Sequence, residues 1–255
     1  MRLNSLSFNY TQTPRLSLDK NNVKYINFSH KLQEDTFVKN NTKLSNNPLI
    51  IEAKKDLMKQ AKYLSDKNLT AGSGGNISSR AGDKILISKA GSLFSDLKEE
   101  DICIIDENGK VFEGDRPSSE TPMHLAIYKN RPDVNSVIHF HPVYATVYAV
   151  ANKTMLPNIL PHTTKHFHDL KVAPYENAGS EDLAQKAAEA LGNSEALLLG
   201  NHGAIVVGKT PQIAAKTADS LENYAQISYL LENSCFKAKQ LSKESVDYMI
   251  NSSKR

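Results

Sequence analysis

Cysteine is scarce in this chain: Cys103 and Cys235 stand far apart, with no CxxC spacing. That excludes a disulfide framework and leaves two free thiols, both expected to be buried among apolar neighbours, as suits a reducing compartment. Long apolar runs are missing too. None approaches the roughly 20 residues that a bilayer-spanning helix needs, and no secretory hydrophobic segment follows Met1. No membrane partner is expected, and a cytoplasmic location is. The net charge is only +3 and no Lys/Arg block occurs, so no nucleic-acid partner is expected either. Internal repeats and a heptad seam are likewise absent.

What is present is an ordinary globular composition, 40% hydrophobic and 23% charged, in a length that fits one large domain plus an appendage. Charge marks the division. Residues 1–48 carry seven Lys/Arg against three Asp/Glu, with nine asparagines and no sustained periodicity. They read as an N-terminal extension, partly disordered, with a short ordered piece at VKYINF. Its first 18 residues hold Arg2 and Arg15 and no acid, which leaves an organellar transit peptide open. Residues 49–255 read as the catalytic domain.

Within that domain, Ile50, Ala53, Leu57, Ala61 and Leu64 recur at helical spacing and predict an amphipathic helix over 49–66. A glycine-rich loop, TAGSGGNISSR, then runs into a strand. DKILISKAG, EDICIID and KVFEG read as short strands. SETPMHLAIYKNRP reads as a helix entered through Pro122 and ended by Pro132. The strand of VIHFH follows, then a helix from Pro142 to about Ala151. KVAPY is a short strand, and GSEDLAQKAAEALG is a helix capped by Ser180. EALLLGNHGAIVVG reads as two strands around a tight turn, and helices close the chain at about 211–232 and 242–250. Six or seven strands joined partly by short turns argue for a mixed or antiparallel sheet rather than a regular βαβ array.

The chemistry starts with histidine. Strand side chains alternate with a period of two, so His139 and His141 face the same way, and two such imidazoles at a strand end can hold one divalent ion. Alone, an HxH pair is more often two core histidines. His202, in the turn GNHG, makes a set of three; neutral imidazoles suit zinc and other borderline ions, and three ligands leave a position open. Glu120 follows Ser118 and Ser119 and precedes a helix whose N-terminus favours negative charge. The serines can donate to a phosphate there, yet the same letters also spell a plain N-cap with a first-turn acid. His124, one helical turn beyond Glu120, shares its face and reads as packing. GSGGN follows a helix and leads into a strand, the reverse of a dinucleotide-binding loop, and is rejected as one.

Taken together, GGNISSR, ISKAG, PSSE, VIHFHPVYAT, VAPY and LLLGNHGAIVVG stand in the order and spacing of the class II aldolase/adducin family, which the chain resembles over about residues 50–235. The resemblance implies a three-layer α/β/α domain around a central mixed or antiparallel sheet, assembled as a homotetramer with active sites between subunits. It implies one zinc ion per subunit on His139, His141 and His202. Glu120 matches the catalytic glutamate, which doubles as a displaceable fourth ligand, and Asn76, Gly91, Ser118 and Ser119 match the phosphate-holding residues. The implied activity is zinc-dependent cleavage of a phosphorylated ketose, such as L-fuculose 1-phosphate, to dihydroxyacetone phosphate and an aldehyde. Epimerases, dehydratases and decarboxylases of the family keep the metal and change the reaction. An adducin-like head would be a non-catalytic binding module, which has no need of an open metal site.

Two stretches depart from the family pattern. SKAG stands where many relatives carry Thr-Pro-Ser/Thr-Gly, so Ala90 lacks a phosphate-holding hydroxyl, and Lys89 either restores anion affinity or is simply solvated. Aldolases of the family take a proton-donating tyrosine from the neighbouring subunit. Near that position this chain reads LPHTTKHFHD, where His162, His166 or His168 can serve as the acid, or the cluster is a loop facing a different substrate.

Overall fold

A computed structural model describes residues 43–252. The expectations for residues 1–42, including order at VKYINF, lie outside the described residues. Residues Leu44–Asn46 form a single 3₁₀ turn, and the Ser45 backbone N–H donates to the Glu113 carboxylate at 3.1 Å. The first helix, α1 (Pro48–Asp66), starts with Asn47 as its N-cap, whose side chain accepts from the Leu49 N–H, and with Pro48 at its first position. It buries Ile50, Leu57, Ala61 and Leu64 as their spacing predicts, at roughly 1.5–3 kcal/mol for each fully buried Leu or Ile. Lys54 and Gln60 are buried too, which the apolar pattern does not show. Lys54 reaches the Glu99 carbonyl at 3.3 Å, and Gln60 donates to Asp56 at 2.9 Å.

The strands are β1 (Asn76–Ala81), β2 (Lys84–Ser88), β3 (Ile102–Ile105), β4 (Val111–Glu113), β5 (Ser136–Phe140), β6 (Val172–Ala173), β7 (Ala196–Leu199) and β8 (Gly203–Gly208). They form one sheet in the order β4-β3-β2-β1-β5-β8-β7-β6. Every pairing is antiparallel except β6 with β7, so the sheet is mixed, as expected. Eight strands are present where six or seven are expected; both edges are very short, three residues in β4 and two in β6, and lie in the KVFEG and KVAPY stretches already read as strands.

Alternation along each strand divides the core in two. Ile77, Leu86, Ile104, Ile138, Phe140, Leu198 and Val206 pack with α1, α3 (Val143–Val150) and α6 (Pro211–Glu232). Ile85, Ile87, Cys103, Val137, Leu197 and Ile205 pack with α2 (Thr121–Asn130) and α5 (Glu181–Leu191) on the other face. The domain is therefore a three-layer α/β/α sandwich. Ser180 caps α5 by accepting from the Leu183 N–H, as its sequence predicts.

Two expectations need correction. Cys103 is buried but Cys235 is exposed, because it falls beyond the end of α6 and its apolar neighbours there are also at the surface. The stretch containing HTTKHF is not a loop but the short helix α4 (Pro161–Phe167), which buries only Thr163, Thr164 and Phe167. With two threonines among its three buried residues, it has no apolar periodicity to betray it. A last helix, α7, covers Lys243–Ser252. Among the described residues, no helix is long and apolar enough to cross a membrane.

Candidate active site

Register brings the site together. Asn76, the first residue of β1, pairs with His139 near the end of β5, and His139 pairs with Ile205 on β8. His139 shares its sheet face with Val137, toward α2, so it meets Glu120 at the start of that helix. His141 lies just beyond β5, and His202 sits in the turn joining β7 to β8.

One ligand nitrogen from each of His139, His141 and His202 lies within 4.8 Å of the others. His139 Nε2 and His141 Nε2 are 2.9 Å apart. The His139 Nδ1–H donates to the Ala204 carbonyl at 3.0 Å, which leaves Nε2 bare toward the cluster. Burial, aided by the neighbouring rings, holds His139 well below the ordinary imidazole value. Burial and His202 lower His141 to about 4. Both are neutral at pH 7, the form that binds metal.

Glu120 is only 6% exposed. It occupies the N-cap position of α2 but makes no side-chain cap bond. Instead its Oε2 accepts from the Asn76 amide at 2.8 Å and lies 3.2 Å from His139 Nε2. Its Oε1 is 3.6 Å from His202 Nε2 and, although buried, accepts no hydrogen bond. An unpaired buried carboxylate oxygen is costly. A divalent cation among the three imidazoles would remove that cost, so the donor set fits a metal ion.

Glycines make room for the rings. A Cβ on Gly74 would stand 2.7 Å from His141 Nδ1, and one on Gly203 would stand 2.7 Å from the Phe140 carbonyl and closer still to His141 Cδ2. The loop GSGGN is thus a backing for His141. A further contact has no sequence signal: Glu222, in the middle of α6, accepts the Tyr144 and Ala145 N–H groups at 2.8 and 2.9 Å. It caps α3, whose own N-cap residue is Pro142 and offers no side chain for the purpose, and so fixes the chain just past His141. Burial raises the Glu222 carboxyl above its ordinary value.

The remaining expected positions are distributed as follows. Gly91 adopts a positive φ of 76° in the turn after β2. Backbone bonds from Ala90 to the Arg116 carbonyl and from Ser118 to the Ser88 carbonyl lay that turn beside Ser118 and Ser119. Ser118 is largely buried and its Oγ accepts the Glu120 N–H at 3.3 Å, while Ser119 is exposed. Lys89 forms an ion pair with Asp101 at 2.6 Å, so its charge is already matched. Asn76 is buried, with its amide held at both ends by Glu120 and His124.

His162, His166 and His168 point elsewhere within the subunit. Their ring nitrogens meet Ser220 Oγ, Glu195 Oε2 and the Lys165 carbonyl. Glu195 precedes β7 whereas His202 follows it, a separation of about 13 Å along the strand.

Known proteins resemble this chain in sequence and fold. Residues 55–229 match the family described as Class II Aldolase and Adducin N-terminal domain. An L-fuculose phosphate aldolase of Methanococcus maripaludis is 35% identical over 178 residues, covering 70% of this chain and 97% of that protein. A 5-deoxy-D-ribulose 1-phosphate aldolase of Bacillus thuringiensis is 35% identical over 184 residues, covering 71% and 86%. A solved structure described as L-fuculose 1-phosphate aldolase superposes with a TM-score of 0.74 at 35% identity, covering 80% of this chain and 97% of that one.

Proposed function

The chain belongs to the class II aldolase/adducin family, and from that membership we propose that it is a zinc-dependent aldolase. Its substrate is a phosphorylated ketose of the L-fuculose 1-phosphate kind, cleaved reversibly to dihydroxyacetone phosphate and an aldehyde. The observation that carries this reading is the convergence of three imidazoles on a buried carboxylate with one unpartnered oxygen. A binding module has no use for that arrangement. The two relatives above are named for different phosphorylated sugars, which favours the phosphate end of the substrate as the shared recognition element.

His139, His141 and His202 would hold the zinc ion. When bound, it supplies Lewis-acid stabilisation of the negative charge that cleavage leaves on the ketose oxygens. Glu120 moves the proton to and from carbon. The Ser118 and Ser119 hydroxyls, the Gly91 backbone and the second amide hydrogen of Asn76 anchor the phosphate, so that remote binding energy orients the reacting carbons. Lys89, already paired with Asp101, is left out of that site.

The assembly is a homotetramer with sites between subunits. In support, Val143, Val147 and Val150 form an exposed apolar stripe along α3, immediately beyond His141. A histidine of α4 can act as acid only in a neighbouring subunit's site, since its own lies at the far end of β7. The test is zinc content together with release of dihydroxyacetone phosphate from L-fuculose 1-phosphate and 5-deoxy-D-ribulose 1-phosphate. Bound zinc without release from either would favour a family epimerase, dehydratase or decarboxylase; no bound metal would favour a binding module.

A further inference from the structure

His124 is fully buried on α2, one turn beyond Glu120, and belongs to a continuous chain of side chains. Tyr128 Oη lies 2.8 Å from Ser78 Oγ, and Ser78 Oγ lies 2.6 Å from His124 Nδ1. His124 Nε2 lies 2.6 Å from Asn76 Oδ1, and Asn76 Nδ2 lies 2.8 Å from Glu120 Oε2. The directions follow from one fixed point. The Asn76 amide nitrogen donates to Glu120 Oε2, so its oxygen, which only accepts, faces His124. The His124 proton is then on Nε2, and bare Nδ1 accepts the Ser78 hydroxyl, which in turn accepts from Tyr128. Every donor in the chain points toward Glu120. Burial supports this state by lowering His124 to about 3, so the ring stays neutral at working pH.

We propose that His124 is a positioning residue for the reaction: as the Nε2–H tautomer it locks the Asn76 amide so that the amide anchors Glu120 Oε2 and leaves Oε1 as the oxygen that exchanges the proton. The asymmetry at Glu120 fits this role, because Oε2 has a fixed donor and Oε1, on the His202 side, has none. Aligned bonds in a dry interior polarise one another, which strengthens the last link to the carboxylate. A plain packing role would call for an apolar side chain of similar size, not a ring satisfied at both nitrogens.

The inference rests on the proposed aldolase reading for its kinetic arm and not for its spectroscopic one. In zinc-loaded protein labelled with ¹⁵N-histidine, the His124 ring should show a protonated Nε2 and a bare Nδ1, assigned by loss of that signal in His124→Gln. In turnover of L-fuculose 1-phosphate, His124→Leu should keep its zinc, shift KM by less than roughly 2-fold and lose kcat by roughly 10–100-fold. His124→Gln, whose amide N–H can still donate to Asn76 Oδ1, should recover most of that loss. A protonated Nδ1 at His124 overturns the proposal whether or not any variant folds. So does a folded, zinc-replete His124→Leu with unchanged kcat, or a loss explained wholly by zinc content or KM. Wild-type protein inactive on every phosphoketose would refute the aldolase reading alone, and the tautomer would still decide the hydrogen-bond chain.

Discussion

Gly203→Ala adds one methyl group beside the candidate metal ligands, and its consequence can be worked from distances. The new Cβ would stand 2.7 Å from the Phe140 carbonyl oxygen, 3.2 Å from His141 Nε2 and nearer still to His141 Cδ2. Ordinary contact begins near about 3.5 Å, so β8 and β5 must part by about 0.8 Å or the His141 ring must swing away. The strands are paired there, Phe140 with Ala204, so backbone movement breaks ladder bonds and the ring is the softer part. Metal sites tolerate displacements of only about 0.2 Å. The expected cost in stability is about 1–3 kcal/mol, the usual range for overpacking. The expected cost in zinc affinity is larger, because one ligand leaves its position. Gly74→Ala meets the same ring at Nδ1 without touching β5 and should do less harm. Competition with a chromophoric chelator measures the affinity, and thermal melting of the metal-free protein measures the fold. A Gly203→Ala protein that holds one zinc per subunit with wild-type affinity would refute the assignment of His141 as a ligand.

Three other outcomes are expected. Glu120→Gln should retain zinc and lose turnover by roughly 10²-fold or more, the scale of a lost acid/base group; near-normal turnover would reduce Glu120 to a helix-start residue. Val147→Glu places a charge in the α3 stripe, and light scattering should show a species smaller than the proposed wild-type tetramer, with activity falling in step; an unchanged assembly puts the interface elsewhere. Stability should also depend on acid through His124. Its folded value, about 3, lies below the unfolded value of about 6.5, so between them the unfolded chain binds one more proton and stability falls as pH falls. The slope contributed is on the order of 1.4 kcal/mol per pH unit, and urea unfolding of His124→Gln should lack it.

Much of the architecture was legible because it rests on local rules. The α1 periodicity, the Ser180 cap and the alternating apolar residues of β2, β5 and β8 are each written within a few residues of where they act. The three histidines and Glu120 were legible as a set, although no local pattern brings positions 120 and 202 within reach of each other; antiparallel pairing of β5 with β8 does that. What escaped was of two kinds. The short helix α4, with two threonines among its three buried residues, shows no apolar period. Partnerships across the fold, such as Glu222 with α3 and Asn76 with His124, join ordinary-looking residues from distant segments.

The helix starts around the site show how function displaces local rules. Ser180, Thr210 and Asn47 cap their helices in the ordinary way, each accepting a first-turn N–H. The two helices that touch the site do not. Glu120 sits where a cap belongs and turns its carboxylate away to Asn76 and the imidazoles. The deficit is met nearby, where the Thr121 N–H and hydroxyl both donate to the Ser118 carbonyl. α3 has only Pro142 in the cap position, and Glu222 reaches across from α6 to supply what is missing. Sites where local preference and observed structure disagree are where function is expected to reside. α4 also starts without a side-chain cap, at Leu160, but the disagreements at α2 and α3 both fall beside the same three histidines, and each is compensated by a residue that also fixes the position of a candidate ligand or of the carboxylate.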